Sequence, residues 1–505
     1  MFRQEKKRPR IRQDKFMPRI KDIFHGIRYR SPADYSGINV KRITDDSRKV
    51  KDGDLFIAVR GYNTDGYKFI ASAVKRGAGI IVADKAFNAP ENIKKIIVKD
   101  ARSCLPVMAD NFYGHPSEKL KVIGVTGTNG KTTITYLMEN ILNTAKKKNG
   151  VIGTINYRVA GKEVPSTNTT PGVLEIESLL SEMLKKNAEY VVMEVSSHSL
   201  DQDRVGCVSF DAGIFTNITK EHLDYHKTMK NYFGAKARLF EKLKDKGVAV
   251  LNNDDAMAAS LKRRIRKKVL TYGIEKDADI KALDIRLSMD ASEFVIKTLE
   301  GSFNARTNLI GRHNISNILA STTASIALGI GLDVIRKGIG SFKTVPGRLE
   351  SVDMGQPFKI FVDYAHTEDA LYNVLSLLRD VVARKSRIIT VFGCGGNRDR
   401  TKRPLMGSIA CRFSDRVVVT SDNPRFEDPM FIISEIEKGV KNKFTNYDIM
   451  PDRRDAIDKA LRLAGEGDVV VLAGKGHEKC QIIGDEAIPF DDREIVKELL
   501  ATHVS

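Results

Sequence analysis

The sequence contains no tryptophan, only five cysteines and no long apolar stretch. The cysteines are scattered without paired spacing, which argues against a disulfide framework or a zinc site. No apolar run approaches the ~20 residues of a membrane-spanning helix, and the N-terminus lacks the apolar core of a signal peptide. These absences predict a protein without a membrane span, located in the cytoplasm.

Positive charge is in excess, with a formal net charge of +19 over 505 residues. Such a charge fits either nucleic-acid binding or anionic small substrates, and by itself it does not choose between them. Aromatic residues make up only 7% of the chain, and none are interleaved with basic residues in the way that single-strand binders require. A basic ATPase that acts on nucleic acid is therefore the weaker alternative.

The length suits about three domains, and short apolar strands alternate with amphipathic helices, which predicts an α/β fold. Residues 1–16 lack the periodicity of a helix or strand, so they are predicted to form a basic flexible tail, with Met17 as an alternative start. We expect a smaller N-terminal α/β domain at 17–118 and a central domain with a parallel sheet at 119–344. Residues 345–505 are expected to form a Rossmann-like C-terminal domain.

The most informative segment is 120–133, where an apolar strand runs into a glycine-rich turn. In such a turn the backbone amides point at phosphate oxygens, a lysine adds positive charge and a threonine hydroxyl can hold Mg²⁺. Val125 stands where the usual motif has glycine, but the amphipathic helix that follows places the loop at a helix N-terminus. The segment predicts that a nucleoside triphosphate is bound by Gly127, Thr128, Asn129, Gly130, Lys131, Thr132 and Thr133.

Four strands of the C-terminal segment end in polar or glycine-rich turns, at 365–369, 393–399, 422–425 and 474–478. Ligands gather at the carboxyl ends of parallel strands, so we expect these turns to line one pocket. The turn at 393–399 carries two glycines of a dinucleotide fingerprint, but Arg398 replaces the third. An NAD-dependent oxidoreductase is therefore disfavoured.

A series of motifs resembles the Mur ligase family, the ATP-dependent amide-forming enzymes that build the stem peptide of peptidoglycan. The resemblance covers nearly the whole chain from Met17 and rests on GTNGKTT (127–133), EVSSH (194–198), HLDYH (222–226), AKARLF (235–240), GRHNISNILA (311–320), PGRLE (346–350) and DYAHT (363–367). Within the family, the tripeptide-synthetase branch is indicated by DSRKV (46–50), TNTTPG (167–172), DNPR (422–425) and GKGHE (474–478). Two positions depart from the family pattern: Glu368 replaces a proline and Glu221 an aspartate.

The resemblance implies roles for individual residues. The ATP site would comprise the phosphate loop together with Asn314, Asn317, Arg348, Asp363 and His366. The catalytic residues would be Lys131, Lys236, His222 and Glu194. Two Mg²⁺ ions would be held by Thr132, Glu194, His222 and Lys236, the lysine as a CO₂-derived carbamate, since a bare ammonium would be repelled by the metals. The UDP-linked dipeptide would contact Ser47, Thr169, Thr170, Ser196, Gln202 and Arg204. The amino acid would contact Arg398, Asp422, Asn423, Pro424, Arg425, Gly474 and Glu478.

The implied substrates are ATP, UDP-MurNAc-L-Ala-D-Glu and meso-diaminopimelate. The enzyme would join the last two through an acyl phosphate. It would be a monomer and would bind no nucleic acid. An L-lysine-adding homologue and a folylpolyglutamate synthase-like ligase remain as alternatives. Single residues also have ordinary interpretations: a lone histidine such as His222 is more often structural, and Lys236 would otherwise be a surface lysine on a helix. Residues 422–425 also fit a common proline turn with Arg425 in solvent.

Overall fold

The computed structural model describes residues 17–61 and 64–503, so the predicted tail at 1–16 lies outside the described residues. Within the described ranges, the chain forms three successive sheets, followed by a two-stranded hairpin and a last helix. No helix in these ranges is long and apolar enough to cross a membrane.

The first sheet has the order β1-β5-β4-β3-β2, and all neighbours are parallel except β1 and β5. Strands β3 and β4 are buried apolar runs, as expected for parallel strands covered on both faces. The strands are β1 (Tyr29–Arg30), β2 (Ile43–Thr44), β3 (Leu55–Ile57), β4 (Ile80–Ala83) and β5 (Lys94–Val98). The helices are α1 (Ile20–Ile23), α2 (Ile70–Lys75), α3 (Ala101–Tyr113) and α4 (Pro116–Lys119).

The central sheet has the order β16-β15-β14-β13-β12-β11-β6-β10-β7-β8-β9. Strands from β14 to β7 in this order are parallel, and antiparallel strands extend both edges. The strands are β6 (Lys121–Thr126), β7 (Asn149–Ile152), β8 (Asn156–Val159), β9 (Lys162–Pro165), β10 (Tyr190–Glu194), β11 (Phe210–Phe215), β12 (Leu243–Asn252), β13 (Lys268–Gly273), β14 (Ile280–Leu287), β15 (Ser292–Thr298) and β16 (Gly301–Thr307). The helices are α5 (Lys131–Thr144), α6 (Val173–Lys185), α7 (Ser197–Asp201), α8 (Leu223–His226), α9 (Met229–Glu241), α10 (Ala258–Lys262), α11 (Arg312–Ala327) and α12 (Leu332–Gly340).

The third sheet has the order β17-β18-β22-β19-β20-β21, with β17 antiparallel and the others parallel. Its strands are β17 (Glu350–Ser351), β18 (Lys359–Asp363), β19 (Ile388–Phe392), β20 (Arg416–Val419), β21 (Tyr447–Ile449) and β22 (Val469–Ala473), followed by the hairpin β23 (Cys480–Ile483) and β24 (Glu486–Pro489). The helices are α13 (Glu368–Val381), α14 (Lys402–Phe413), α15 (Pro429–Glu437), α16 (Arg453–Leu463) and α17 (Asp492–His503).

The register of the central sheet brings three chain segments to one edge. Thr126 at the end of β6 pairs with Phe215 at the end of β11, and Glu194 at the end of β10 pairs with Val125. The loops that follow these strands therefore begin side by side at the carboxyl edge, where ligands of parallel sheets bind.

Helix α3 packs against helix α6, and this contact encloses a carboxyl group. Glu177 on α6 is 2% exposed, and its Oε2 has no hydrogen-bond partner among the described residues. Burial, with a smaller contribution from the Asp110 carboxylate on α3, raises the pKa of Glu177 to about 8. The side chain is therefore mostly a neutral carboxylic acid at neutral pH.

We expect this contact to lose stability as the pH rises. The pKa of Glu177 rises from 4.5 to about 8 on folding. Its contribution to the free energy of unfolding is therefore complete below the lower pKa and is lost as the pH increases through the higher one. Glu177→Gln removes the charge but keeps the shape, and it should stabilise the protein by on the order of 3–5 kcal/mol above the folded pKa and very little below the unfolded pKa. Thermal unfolding across this pH range measures the effect, with Glu182→Gln on the same helix as control. Equal pH dependence of wild type and Glu177→Gln would contradict the prediction.

Candidate active site

The loop between β6 and α5 has the backbone that a phosphate site requires. Gly127 and Gly130 have φ angles of 149° and 90°, a region that favours glycine. A Cβ on Gly127 would clash with Thr216 Oγ1, and one on Gly130 would clash with Asn317 Oδ1. Helix α5 begins at Lys131 directly after the loop, so its unpaired N–H groups point towards an anion placed there.

The Lys131 side chain lies over this loop. Its Nζ donates to the carbonyl oxygens of Gly127 at 2.9 Å and Thr128 at 2.7 Å. Desolvation lowers the pKa of Lys131, and the carboxylates of Glu221 and Glu194 oppose this shift. The ammonium is thus held where the terminal phosphates of a nucleotide would lie.

Glu194 and His222 are brought to the same edge by β10 and by the loop after β11. Glu194 is buried, and its two carboxylate oxygens accept from Thr154 N at 2.8 Å and Thr154 Oγ1 at 3.0 Å. His222 has a positive φ of 54°, and its Nε2 lies 3.7 Å from Glu221 Oε2. The His198 ring packs edge-on against that of His222 at 4.8 Å, and burial lowers the pKa of His198 to about 4. His198 is therefore a neutral imidazole.

Lys236 is almost completely buried on helix α9. Its Nζ lies 4.4 Å from the ring centre of Tyr232, one helical turn earlier, and makes no hydrogen bond with any described residue. Desolvation lowers its pKa well below the usual range, and the nearby Lys131 ammonium adds to the shift. A surface lysine would have neither property, so that interpretation of Lys236 is wrong.

Lys131, Glu194, His222 and Lys236 line one cavity of about 360 Å³, to which the third sheet also contributes. Leu349 N donates to Asp363 Oδ2 at 2.6 Å, and burial raises the pKa of Asp363 while Arg348 opposes the shift. Asn129 Nδ2 of the phosphate loop donates to Asp369 Oδ2 of helix α13 at 2.9 Å, across the two sheets. The cavity brings together every residue predicted for the nucleotide and the metals: Gly127, Thr128, Asn129, Gly130, Lys131, Thr132, Thr133, Glu194, His222, Lys236, Asn314, Asn317, Arg348, Asp363 and His366.

The donor set of this cavity suits Mg²⁺ bound together with a nucleotide. Thr132, Glu194 and His222 offer a hydroxyl, a carboxylate and an imidazole. Over the described ranges, no group of three or more His, Cys, Asp or Glu side chains is placed to hold a metal ion. Mg²⁺ commonly takes one or two carboxylates and completes its shell with water and substrate phosphates. The residues therefore fit a metal shared with substrate rather than a closed protein cage.

Most residues predicted for the UDP-linked dipeptide form a cluster beside the cavity. Thr170 Oγ1 accepts from Ser196 N at 3.0 Å, and Arg204 Nη1 donates to Thr170 O at 2.9 Å. Arg204 Nε and Nη2 donate to Gln202 Oε1 at 2.9 and 2.6 Å. Thr169 and Ser196 also line the cavity itself. The cluster lies at the end of β10, because Thr170 Oγ1 donates to Glu194 O at 2.9 Å.

Ser47 lies apart from this cluster. It is buried at the start of a short 3₁₀ turn, Ser47–Lys49, that follows β2 of the first sheet. Asp46 caps the turn by accepting from Arg48 N at 3.0 Å. The structure therefore brings Ser47 to the first sheet and not to the cavity.

The residues predicted for the amino acid form a separate site on the third sheet. Gly396 N donates to Asn423 O at 2.9 Å, and Arg425 Nη1 donates to Gly396 O at 2.9 Å. Asn423 Nδ2 donates to Glu478 Oε2 at 2.7 Å. The turns after β19, β20 and β22 therefore converge, as the sequence predicts.

Glycines in these turns permit close approach. A Cβ on Gly395 would lie 3.0 Å from Arg425 Nη1 and 3.8 Å from Arg398 Cγ, so both arginines flank this position. Gly474 has a φ of 114°, and a Cβ there would lie 2.8 Å from Asp422 Oδ2. A Cβ on Gly396 would meet the carbonyl oxygen of Pro424.

The turn after β18 behaves differently from the other three. Its residues His366 and Thr367 line the nucleotide cavity. The rings of Tyr364 and His477 lie 4.9 Å apart and connect it to the turn after β22. The expected convergence is therefore seen for three turns, and the fourth lines the cavity around the phosphate loop.

Comparison with known proteins identifies the family. Three family models match: "Mur ligase family, catalytic domain" over 39–113, "Mur ligase middle domain" over 125–325 and "Mur ligase, glutamate ligase domain" over 347–476. The UDP-N-acetylmuramoyl-L-alanyl-D-glutamate--2,6-diaminopimelate ligase of Clostridium tetani is 44% identical over 487 residues, 95% of this chain and 99% of that protein. The chain belongs to the Mur ligase family.

Solved structures agree with this membership. A structure of a protein with the same name as the Clostridium tetani enzyme is 31% identical, with a TM-score of 0.70 over 97% of this Mur ligase and 100% of that chain. A Mycobacterium tuberculosis folylpolyglutamate synthase is 17% identical, with a TM-score of 0.62 over 74% of this chain and 92% of that chain, and shares the fold alone.

Sequence reasoning missed several residues of this Mur ligase site, among them Thr154, Tyr232 and Asp369. Thr154 follows β7, the neighbour of β10, so its place after a parallel strand could have revealed it. Tyr232 lies four residues before Lys236, on the same helix face. Asp369 contacts Asn129 across 240 residues, for which a single sequence carries no signal.

The structure accommodates Glu368 at the position where the family usually has proline. Helix α13 begins at Glu368, and Thr367 Oγ1 caps it by accepting from Ala370 N at 3.3 Å. Proline and glutamate are both favourable in the first turn of a helix, so the helix start is kept in this Mur ligase.

Proposed function

We propose that this Mur ligase uses ATP to join meso-diaminopimelate to the γ-carboxylate of D-glutamate in UDP-MurNAc-L-Ala-D-Glu, a step of peptidoglycan synthesis. The observation that carries the proposal is the site formed by the turns of the third sheet. There Arg398 and Arg425 flank Gly395, and Asn423 Nδ2 donates to Glu478 Oε2. It offers cations for carboxylates and an anion for an ammonium, as a zwitterionic diamino acid requires. The 44% identity to a ligase named for 2,6-diaminopimelate supports the same substrate.

Activation of the carboxylate begins in the nucleotide cavity. The γ-phosphoryl group of ATP passes to a carboxylate oxygen of D-glutamate, and ADP leaves. Lys131 and the N–H groups of the loop neutralise charge on the transferred group. Mg²⁺, held by Thr132, Glu194 and His222 with the nucleotide, would supply further positive charge at this point.

The amide bond forms in the second step. The amine of the diamino acid attacks the carbonyl carbon of the acyl phosphate and loses a proton, and the bond to the phosphate oxygen breaks to release phosphate. The Tyr364–His477 contact links the amino-acid site to the nucleotide cavity. The amine and the acyl phosphate must meet between these two sites, which explains why the third sheet contributes to both.

Lys236 is proposed to carry a carbamate. Its buried Nζ has no acceptor among the described residues and lies on the cavity wall near Lys131. As a carbamate it would be an anion that orients Mg²⁺, while as an ammonium it would repel both the metal and Lys131.

We also propose domain boundaries at 118/119 and 344/345 and a tail at 1–16. The monomeric state and the cytoplasmic location are proposals as well. Likewise, Thr169, Thr170, Ser196, Gln202 and Arg204 are proposed to hold the dipeptide, and Ser47 the uridine diphosphate. The cluster around Thr170 supports the first group, because Thr169 and Ser196 line the cavity and Thr170 is hydrogen-bonded to Ser196 and Arg204.

Phosphate release from ATP tests the function. With UDP-MurNAc-L-Ala-D-Glu present, we expect release with meso-diaminopimelate and very little with L-lysine. Equal release with L-lysine would favour the L-lysine-adding alternative, and release only with a folate and glutamate would favour the folylpolyglutamate synthase class. Release that depends on DNA or RNA and not on an amino acid would favour the nucleic-acid ATPase.

A further inference from the structure

Lys475, in the turn after β22, is a fully buried lysine. Its Nζ donates to Asn423 Oδ1 at 3.2 Å, to Glu478 Oε2 at 3.3 Å and to Cys480 O at 2.7 Å. An ammonium has three N–H donors, so each proton has one acceptor. The charge is paired with one carboxylate, as burial requires.

This ammonium fixes the orientation of the Asn423 amide. Asn423 Oδ1 accepts from Lys475 Nζ and from Ile482 N at 3.0 Å, and its Nδ2 donates to Glu478 Oε2 at 2.7 Å. Both neighbours of Oδ1 are donors only, so a flipped amide would place an NH₂ group against two N–H groups. The amide therefore has one orientation while the lysine is present.

The same network also fixes Glu478. Its Oε2 accepts from both Asn423 and Lys475, while its Oε1 makes no hydrogen bond with any residue that the structure describes. Lys475 thus holds one oxygen inwards and leaves the other to face a ligand.

We propose that Lys475 is a positioning residue for the amino-acid substrate, holding Asn423 and Glu478 in the geometry that receives the distal ammonium. The inference rests on the proposed function and deepens it, because it names what sets the geometry of that contact. Removal of the ammonium leaves Asn423 Oδ1 and Cys480 O short of a donor and frees Glu478 to rotate. Binding of the diamino acid should then weaken by about 10–100-fold.

Lys475→Met tests the proposal. We expect KM for the diamino acid to rise by about 10–100-fold, while KM for ATP and for the UDP-linked dipeptide changes little. If Lys475 acts through Asn423 and Glu478, Lys475→Met raises KM for the amino acid by a smaller factor in the Glu478→Gln background than in wild type. Fully multiplied effects of the two changes, or an unchanged KM in Lys475→Met, would overturn the inference.

Arg387→Met is the matched control. Arg387 pairs with Asp468 at 2.6 Å at the amino end of the same strands, β19 and β22. Loss of this ion pair should destabilise the sheet without changing KM for the amino acid. A similar KM rise in Arg387→Met would show that general loosening of the sheet causes the effect.

Lys475→Gln provides a second route if Lys475→Met does not fold. It keeps an N–H donor in the turn but loses the charge, so KM for the amino acid should again rise, and an unchanged value would overturn the inference.

Failure of the proposed function would be seen in the wild-type enzyme and not in the comparison of variants. A wild type that prefers L-lysine corrects the substrate, and the KM comparison is then made with L-lysine, which also has a distal ammonium. A wild type that accepts no amino acid overturns both proposals.

Discussion

Lys236→Ala is expected to reduce ligation by at least on the order of 10³-fold without unfolding the protein. The side chain is buried on α9 but makes no hydrogen bond with the described residues, so truncation to alanine breaks no internal network. What is lost is the group that lies on the cavity wall beside Lys131.

The size of this effect depends on the carbamate. A neutral amine attacks the carbon of CO₂ and loses a proton, and burial provides that neutral amine because it lowers the pKa of Lys236. Short carboxylates such as formate or acetate are small enough to enter the truncated site and replace the lost anion, so they should partly restore the activity of Lys236→Ala. Lys236→Arg should not be restored, since its guanidinium fills the space and keeps the positive charge.

Initial rates of phosphate release measure these effects, with Lys230→Ala as control. Lys230 is exposed on the same helix, so its removal should leave the rate unchanged. Full activity of Lys236→Ala without added carboxylate would contradict the prediction. An inactive variant that no carboxylate restores would leave Lys236 essential but argue against an anion there.

Several parallel strands of the fold could be predicted because they are short apolar runs followed by a polar turn. Strands β22 (Val469–Ala473) and β10 (Tyr190–Glu194) are two such runs, and every residue in both is buried. The antiparallel extensions of the central sheet were missed. Their residues are mixed in burial, as in β16 (Gly301–Thr307), and so lack the continuous apolar signal of a strand buried on both faces.

The nucleotide cavity was the part of the site that the sequence predicted best. The phosphate loop is local in sequence, and the order of strands places Glu194 and the loop before His222 beside it. The contacts that orient these groups were not predictable, because they join distant segments. Asn129 and Asp369 are 240 residues apart, and Lys475 and Asn423 are 52 apart. The burial of Lys236 depends in the same way on how α9 packs, which a local pattern does not reveal.

Arg425→Ala is expected to abolish the preference for meso-diaminopimelate over L-lysine. The two amino acids differ by one carboxylate at the far end of the side chain, and a site built to pair a charged group rejects the analogue that lacks it by on the order of 10⁴-fold. In the structure, Arg425 Nη1 donates to Gly396 O at 2.9 Å. Its Nε and Nη2 make no hydrogen bond with described residues, which leaves one edge of the guanidinium for a carboxylate.

The backbone also holds Arg425 in place, which argues against the ordinary proline turn. Arg425 has a positive φ of 53°, and its N–H donates to Ile482 O at 2.9 Å. A non-glycine residue in this region is uncommon and is kept here by pairing with the hairpin strand β23. The turn is therefore held against the hairpin by a backbone hydrogen bond. The guanidinium is hydrogen-bonded through Nη1 and does not lie fully in solvent.

The ratio of kcat/KM for the two amino acids is the decisive measurement. We expect a ratio on the order of 10⁴ in wild type, a fall towards unity in Arg425→Ala, and partial retention in Arg425→Lys, whose point charge cannot pair through two N–H groups. Arg416→Ala is the control, because Arg416 is exposed at the amino end of β20, the strand that leads to this turn. A variant Arg425→Ala that still prefers meso-diaminopimelate would place the selective cation elsewhere, and Arg398, which also flanks Gly395, would be the next residue to replace.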